Sequence, residues 1–70
     1  MFYVIEIQKQ PNDTFAHLVT TFENESEAKS KFHQILSYAA VSSLPVHTAI
    51  VITDEGTLLM RECYKHEVTG

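Results

Sequence analysis

Apolar and polar residues alternate from the first positions of the chain. In Phe2 to Gln8 (FYVIEIQ), Tyr3, Ile5 and Ile7 fall on one side, and Phe2 and Val4, followed by Glu6 and Gln8, on the other. β-branched and aromatic residues at period two predict a strand. Pro11, Asn12 and Asp13 end it, since proline has no ladder donor and the two that follow form turns. Thr14 to Phe22 (TFAHLVTTF) alternates again, with Ala16, Leu18, Thr20 and Phe22 on one side and Phe15, His17, Val19 and Thr21 on the other. These two strands should close as a hairpin.

The period then becomes helical. Within residues 23–41, Ala28, Phe32, Ile35, Leu36 and Ala39 recur at i, i+4, i+7, i+8 and i+11, which makes one apolar stripe. Asn24 is the expected N-cap, with Glu27 three residues on in a capping-box pattern. Glu23 and Glu25 put negative charge at the positive end of the helix dipole. Glu25–Lys29 and Glu27–Lys31 are i,i+4 pairs, each worth about 0.2–0.5 kcal/mol. Pro45 keeps Leu44 out of helical geometry. Val46 to Thr53 reads as a third strand, Asp54 to Gly56 as a short hairpin loop, and Thr57 to Lys65 as a fourth strand. Residues 66–70 carry no pattern and are expected to fray.

The element order is therefore β-β-α-β-β in a single domain spanning residues 1–70. The first and third strands are the most apolar and belong in the centre. The expected fold is two-layer α+β: a four-stranded antiparallel sheet in the order 2-1-3-4 with one helix across one face. With the helix over Tyr3, Ile5, Ile7, Leu18, Phe22, Val46, Ile50, Ile52, Leu58 and Met60, the opposite face presents Phe2, Val4, Phe15, His17, Val19, Ala49, Val51, Leu59 and Cys63. That set is too apolar for a water-facing surface, because monomers rarely leave apolar patches above a few hundred Å² uncovered. A second copy stacked sheet to sheet at about 10 Å covers such a face most simply. Phe2, Val4, Phe15, Val19, Ala49, Val51 and Leu59 are thus the expected interface, in a homodimer or in a larger protein assembly.

Composition sharpens this picture. Seventy residues bury too little surface to be more than marginally stable alone, and the single cysteine, Cys63, rules out an intrachain disulfide. No apolar run approaches the roughly 20 residues that span a membrane, and the opening MFYVIEIQKQ lacks the basic start of a secretory leader, so a cytoplasmic protein with no membrane partner is expected. The net charge is −4, with Lys9, Lys29, Lys31, Arg61 and Lys65 as the only basic residues. Phosphate gripping needs such residues in a patch, so no nucleic-acid partner is expected, although Phe2, Phe15 and Tyr64 lie on strands as in single-strand binding platforms.

Candidate chemistry is sparse. Cys63 and His66 form a C-x₂-H pair, and with His17 or His47 they supply the thiolate and imidazole that zinc prefers. Structural zinc motifs use two close-spaced doublets, and one is present here, so Cys63, His17 and His47 stand only as the alternative, a small metal- or thiol-dependent site. Cys63 as a nucleophile requires a base and a pocket that no pattern supplies. Glu6 and Glu62 are carboxylates of the kind used in acid–base work, but such residues are more often solvated strand positions. With glycine only at positions 56 and 70 there is no phosphate loop, and no cofactor is expected.

The pieces Ala16-His17-Leu18-Val19, Ser30-Lys31-Phe32-His33-Gln34, Ala39-Ala40-Val41-Ser42-Ser43-Leu44-Pro45-Val46-His47 and Cys63-Tyr64-Lys65-His66 resemble a group of short proteins found in prophages and genomes of Firmicutes. The resemblance covers most of the chain. It implies a bacterial or phage-infected cytoplasm and carries over no activity, catalytic residue or binding residue. The expected function is a non-catalytic assembly or interaction module that self-associates through the helix-free sheet face.

Overall fold

The computed structural model describes residues 1–66 of the chain. Its elements are β1 (Phe2–Lys9), β2 (Phe15–Phe22), α1 (Glu25–Ala39), β3 (Val46–Thr53) and β4 (Leu58–Lys65). The strands form one antiparallel sheet in the order β2-β1-β3-β4, and α1 lies across one face, as alternation and strand apolarity predict. Asn24 caps the helix: its side-chain oxygen accepts from the backbone N–H of Ser26 at 2.7 Å and of Glu27 at 3.4 Å. The Glu25–Lys29 pair closes at 3.3 Å. Glu27 and Lys31 form no ion pair; Lys31 instead acts electrostatically on Glu6.

Turn chemistry sets the register. Asp13 takes a left-handed backbone (φ 66°), which aspartate tolerates better than most residues, and Gln10 donates to the Thr14 carbonyl at 2.8 Å. That five-residue connection, 10–14, places Lys9 opposite Phe15, so odd-numbered residues of β1 face odd-numbered residues of β2. At the other hairpin Gly56 supplies the positive φ (84°) and donates to the Thr53 carbonyl at 2.9 Å. The β3–β4 register then slips between Val51↔Met60 and Ile52↔Leu58, leaving Leu59 as the extra residue of a bulge.

The core corrects the expected faces. Ala28, Phe32, Ile35 and Ala39 of α1 pack on the sheet side bearing Val4, Ala49 and Val51, all nearly inaccessible, with Phe2, Phe22, Leu36 and Met60 partly buried around them. Leu18, Phe22 and Met60 lie on the helix side as expected, but β1 and β3 are turned over. Val4, Ala49 and Val51 are core residues and not interface residues, and Phe2 packs against that core. Tyr3, Ile5, Ile7, Val46, Ile50, Ile52 and Leu58 lie on the helix-free side instead. The physical reason is twofold. Directly opposed residues of antiparallel strands share a face, so Phe2↔Phe22 and Val51↔Met60 tie those positions together. A stripe containing two alanines also brings the helix close, which suits valine and alanine beneath it better than a row of isoleucines.

The chain end is held further along than expected. The His66 ring donates through Nε2 to the Ala39 carbonyl at 2.8 Å, satisfying a last-turn acceptor of α1, and its backbone N–H donates to the Pro45 carbonyl at 3.0 Å. The rest of the expected frayed tail, 67–70, lies outside the described residues.

Phe32 is the largest side chain of the helix stripe and is 3% exposed. Phe32→Ala is expected to cost about 3–5 kcal/mol, comparable to the whole stability of a domain this small. Val51→Lys would bury an unpaired charge and unfold the chain. Urea unfolding followed by circular dichroism checks both.

Candidate functional site: the helix-free face of the sheet

Each row of opposed residues on the helix-free face can be read from the register. Phe15, Lys9, Val46 and Lys65 form one end row. His17, Ile7, Thr48 and Cys63 follow, then Val19, Ile5, Ile50 and Arg61, then Thr21, Tyr3, Ile52 and Leu58. The middle of this face is a block of Tyr3, Ile5, Ile7, Ile50 and Ile52, half-buried by one another and with no helix above them. Its margins are open: Phe15 is 68%, Val19 53% and Leu58 52% exposed. Phe15 and Val19 therefore lie where they were expected, and Leu59, at the bulge, is also exposed.

Among the described strand residues the register puts Lys9, Arg61 and Lys65 on this face, at one end and along the β4 edge; Asp13 pairs with Lys9 at 3.5 Å, and Glu62 lines the depression beside Arg61, Cys63 and Lys65. At the opposite end of the strands Asp54 and Glu55 occupy the β3–β4 loop and Glu23 follows β2. The two ends therefore differ in charge, but each is partly compensated: Asp13 offsets Lys9 at one, and the amino terminus lies 4.0 Å from Asp54 at the other.

The metal- or thiol-dependent alternative is not assembled. His17 and Cys63 share a row but sit on opposite edge strands, three strand spacings or about 14 Å apart, whereas zinc ligands lie within about 2.3 Å of the metal. His47 is on the other face, 3% exposed beneath the helix. His66 also lies on the helix side, bonded to Ala39, so the C-x₂-H pair is split between faces. Among the described residues no group of three or more His, Cys, Asp and Glu is placed to hold a metal. Cys63 is an exposed thiol beside Arg61 and Lys65 in a shallow depression, with no histidine next to it.

One polar contact escaped sequence reasoning. Under the helix, the His47 Nε2–H donates to the Glu6 carboxylate at 2.5 Å, and Gln8 donates to the same oxygen at 2.8 Å. The signal was present in the helix-side alternation of β1, where Glu6 and Gln8 follow Val4, but only the register shows His47 opposite Gln8. Glu6 and Glu62 are separated by Ala49 in their row, so the carboxylates do not pair. The arrangement looks like a base with its orienting acid, yet the free His47 Nδ1 is sealed from solvent with no partner, so no substrate reaches it. Burial pushes the Glu6 carboxyl up, but the hydrogen bonds from Gln8 and His47 and the electrostatic pull of His47 and Lys31 together outweigh it and hold it below its ordinary 4.5.

Comparison with family models, with curated proteins and with solved structures gives no match, so the reading rests on the residues themselves. No helix among the described residues is long and apolar enough to cross a membrane.

Because the Glu6 carboxyl ionises at lower pH in the folded chain than in the unfolded one, its stabilisation is present above its ordinary value and lost as pH falls through the folded value. Unfolding free energy should therefore drop as pH is lowered below 4.5, and Glu6→Gln should flatten that slope. Urea titrations of both proteins above and below that pH measure it.

Proposed function

We propose that this protein is a non-catalytic assembly module whose working surface is the helix-free face, and that the face is covered by a second copy of the same chain. The observation that carries the proposal is the uncovered block of Tyr3, Ile5, Ile7, Ile50 and Ile52 on a domain whose single helix is spent on the other side. Packing two such faces removes from water the side chains that a short chain can least leave exposed. The end-to-end charge polarity supports self-pairing. A two-fold axis lying between the sheets, across the strands, turns the Lys65 end of one copy over the Glu55 end of the other, while Lys9 and Asp54 keep their partners within the chain. A larger assembly of other proteins is the competing occupant, and the bacterial or phage-infected cytoplasm is the setting the family resemblance suggests.

Ile50→Lys places a charge in the middle of the face without entering the helix-side core. Sedimentation equilibrium should show wild type above the mass of one chain over a wide concentration range, and Ile50→Lys with a weaker or absent association while its helical circular dichroism is kept. An unchanged mass for Ile50→Lys would remove the face from the assembly.

A further inference from the structure

The sheet has two edges, and they differ in kind. β4 is guarded: it carries Arg61, Glu62 and Lys65, its register is broken by the bulge at Leu59, and the Glu62 carboxylate accepts from the Cys63 N–H at 3.3 Å. Charges, bulges and covered amides are the devices by which edge strands avoid pairing with other chains. β2 has none of them. Its eight residues, FAHLVTTF, include no Asp, Glu, Lys, Arg, Gly or Pro, and all eight pair with β1 without irregularity. The helix lies mainly over β3 and β1 and reaches only part of β2, so Leu18 on the helix side is 63% exposed; the helix reaches β4 still less, so the difference between the edges lies in their side chains and register. An incoming strand meets no obstacle above or below.

We infer that β2 is a second interaction surface, at which β2 of another copy pairs antiparallel about a two-fold axis and extends the sheet to eight strands. Opposed residues must share a face, so in a pairing centred on Leu18 the Leu18 side chains of the two copies meet, Ala16 meets Thr20, His17 meets Val19 and Phe15 meets Thr21. No like charges oppose each other. The same operation on the middle of β4 opposes like charges: centred on Arg61 two arginines, on Glu62 two glutamates, and on Cys63 Arg61 with Lys65; centring on Met60 instead runs through the bulge at Leu59. Pairing β2 with another copy's β4 would be head-to-tail and would set the incoming strand against the charged, bulged edge. The edge axis is perpendicular to the sheet, and the face axis lies parallel to it. Where the two axes intersect they close at four copies, a closure that rests on the face pairing proposed above, while the strand pairing does not.

Leu18→Lys and Leu18→Glu test the edge and leave the helix-free face untouched. Sedimentation equilibrium should give four chains for wild type, two for Leu18→Lys, two for Ile50→Lys and one for the double variant. Mixing Leu18→Lys with Leu18→Glu should restore four, because the two-fold brings position 18 against itself. Amide hydrogen exchange supplies a readout that needs no substitution. In wild type every β2 amide should be protected, and in Leu18→Lys alternate β2 amides should exchange fast. A wild-type mass halved only by Ile50→Lys, with alternate β2 amides already exchanging, would overturn the edge and leave the face standing. A mass reduced only by Leu18→Lys would leave the edge and remove the face. A monomer, or an open-ended polymer that Leu18→Lys leaves intact, would overturn the two-fold strand pairing.

Discussion

The seating of Ala28, Phe32, Ile35 and Ala39 on Val4, Ala49 and Val51 organises the whole molecule. Two alanines in the stripe bring the helix down onto small sheet residues, and Phe32 fills the space between. One helix of fifteen residues cannot cover a four-stranded sheet completely. It sits mainly on β3 and β1, reaches part of β2 and less of β4, and among the described residues leaves the other face with no cover. The surfaces available to partners follow from where this contact is made.

The same contact has a polar margin. Where the apolar stripe ends, Glu6, Gln8 and His47 meet beneath the helix, and the His47–Glu6 hydrogen bond takes the place of a hydrophobic contact. Burying such groups is tolerable only when they satisfy one another, and one atom, His47 Nδ1, remains without a partner. Beyond it His66 reaches back from the end of β4 to close the helix at Ala39. The basic residues of the helix-free face gather at this end of the strands and along the β4 edge, while acids gather at the other end. In a chain of net charge −4, the described strand residues of this face that carry charge are lysines and an arginine, with Asp13 and Glu62 at its margins.

Much of the fold was legible residue by residue. Period-two alternation marks all four strands, helical spacing marks the stripe, and Asn24 and Gly56 do what their chemistry suits them for. The site was legible in outline: one apolar face too many, with Phe15 and Val19 on it. Its central members were assigned to the wrong side. Alternation in β1 separates Tyr3, Ile5 and Ile7 from Phe2, Val4 and Glu6 with no ambiguity, but it does not say which set a helix will cover. Ranking by apolarity favours the isoleucines, whereas close packing favours the smaller valines and alanine. Leu58 moved for another reason, since the bulge at Leu59 turns it to face with Ile52. The histidines and Cys63 were visible as candidate ligands, but spacing along a chain cannot show that two strands separate His17 from Cys63 or that His47 points the other way.

The sequence by itself determined the elements, their order and the membership of each strand's two faces, because these depend on local periodicity, capping and turn-forming residues. It also determined that one helix must leave one apolar face without cover, which is a matter of counting. Only the tertiary structure decided which face that is, which polar groups share the helix side, and which edge of the sheet stands unguarded. Those outcomes depend on register and on how closely a helix can approach a sheet, and both are set by contacts between residues far apart in the chain.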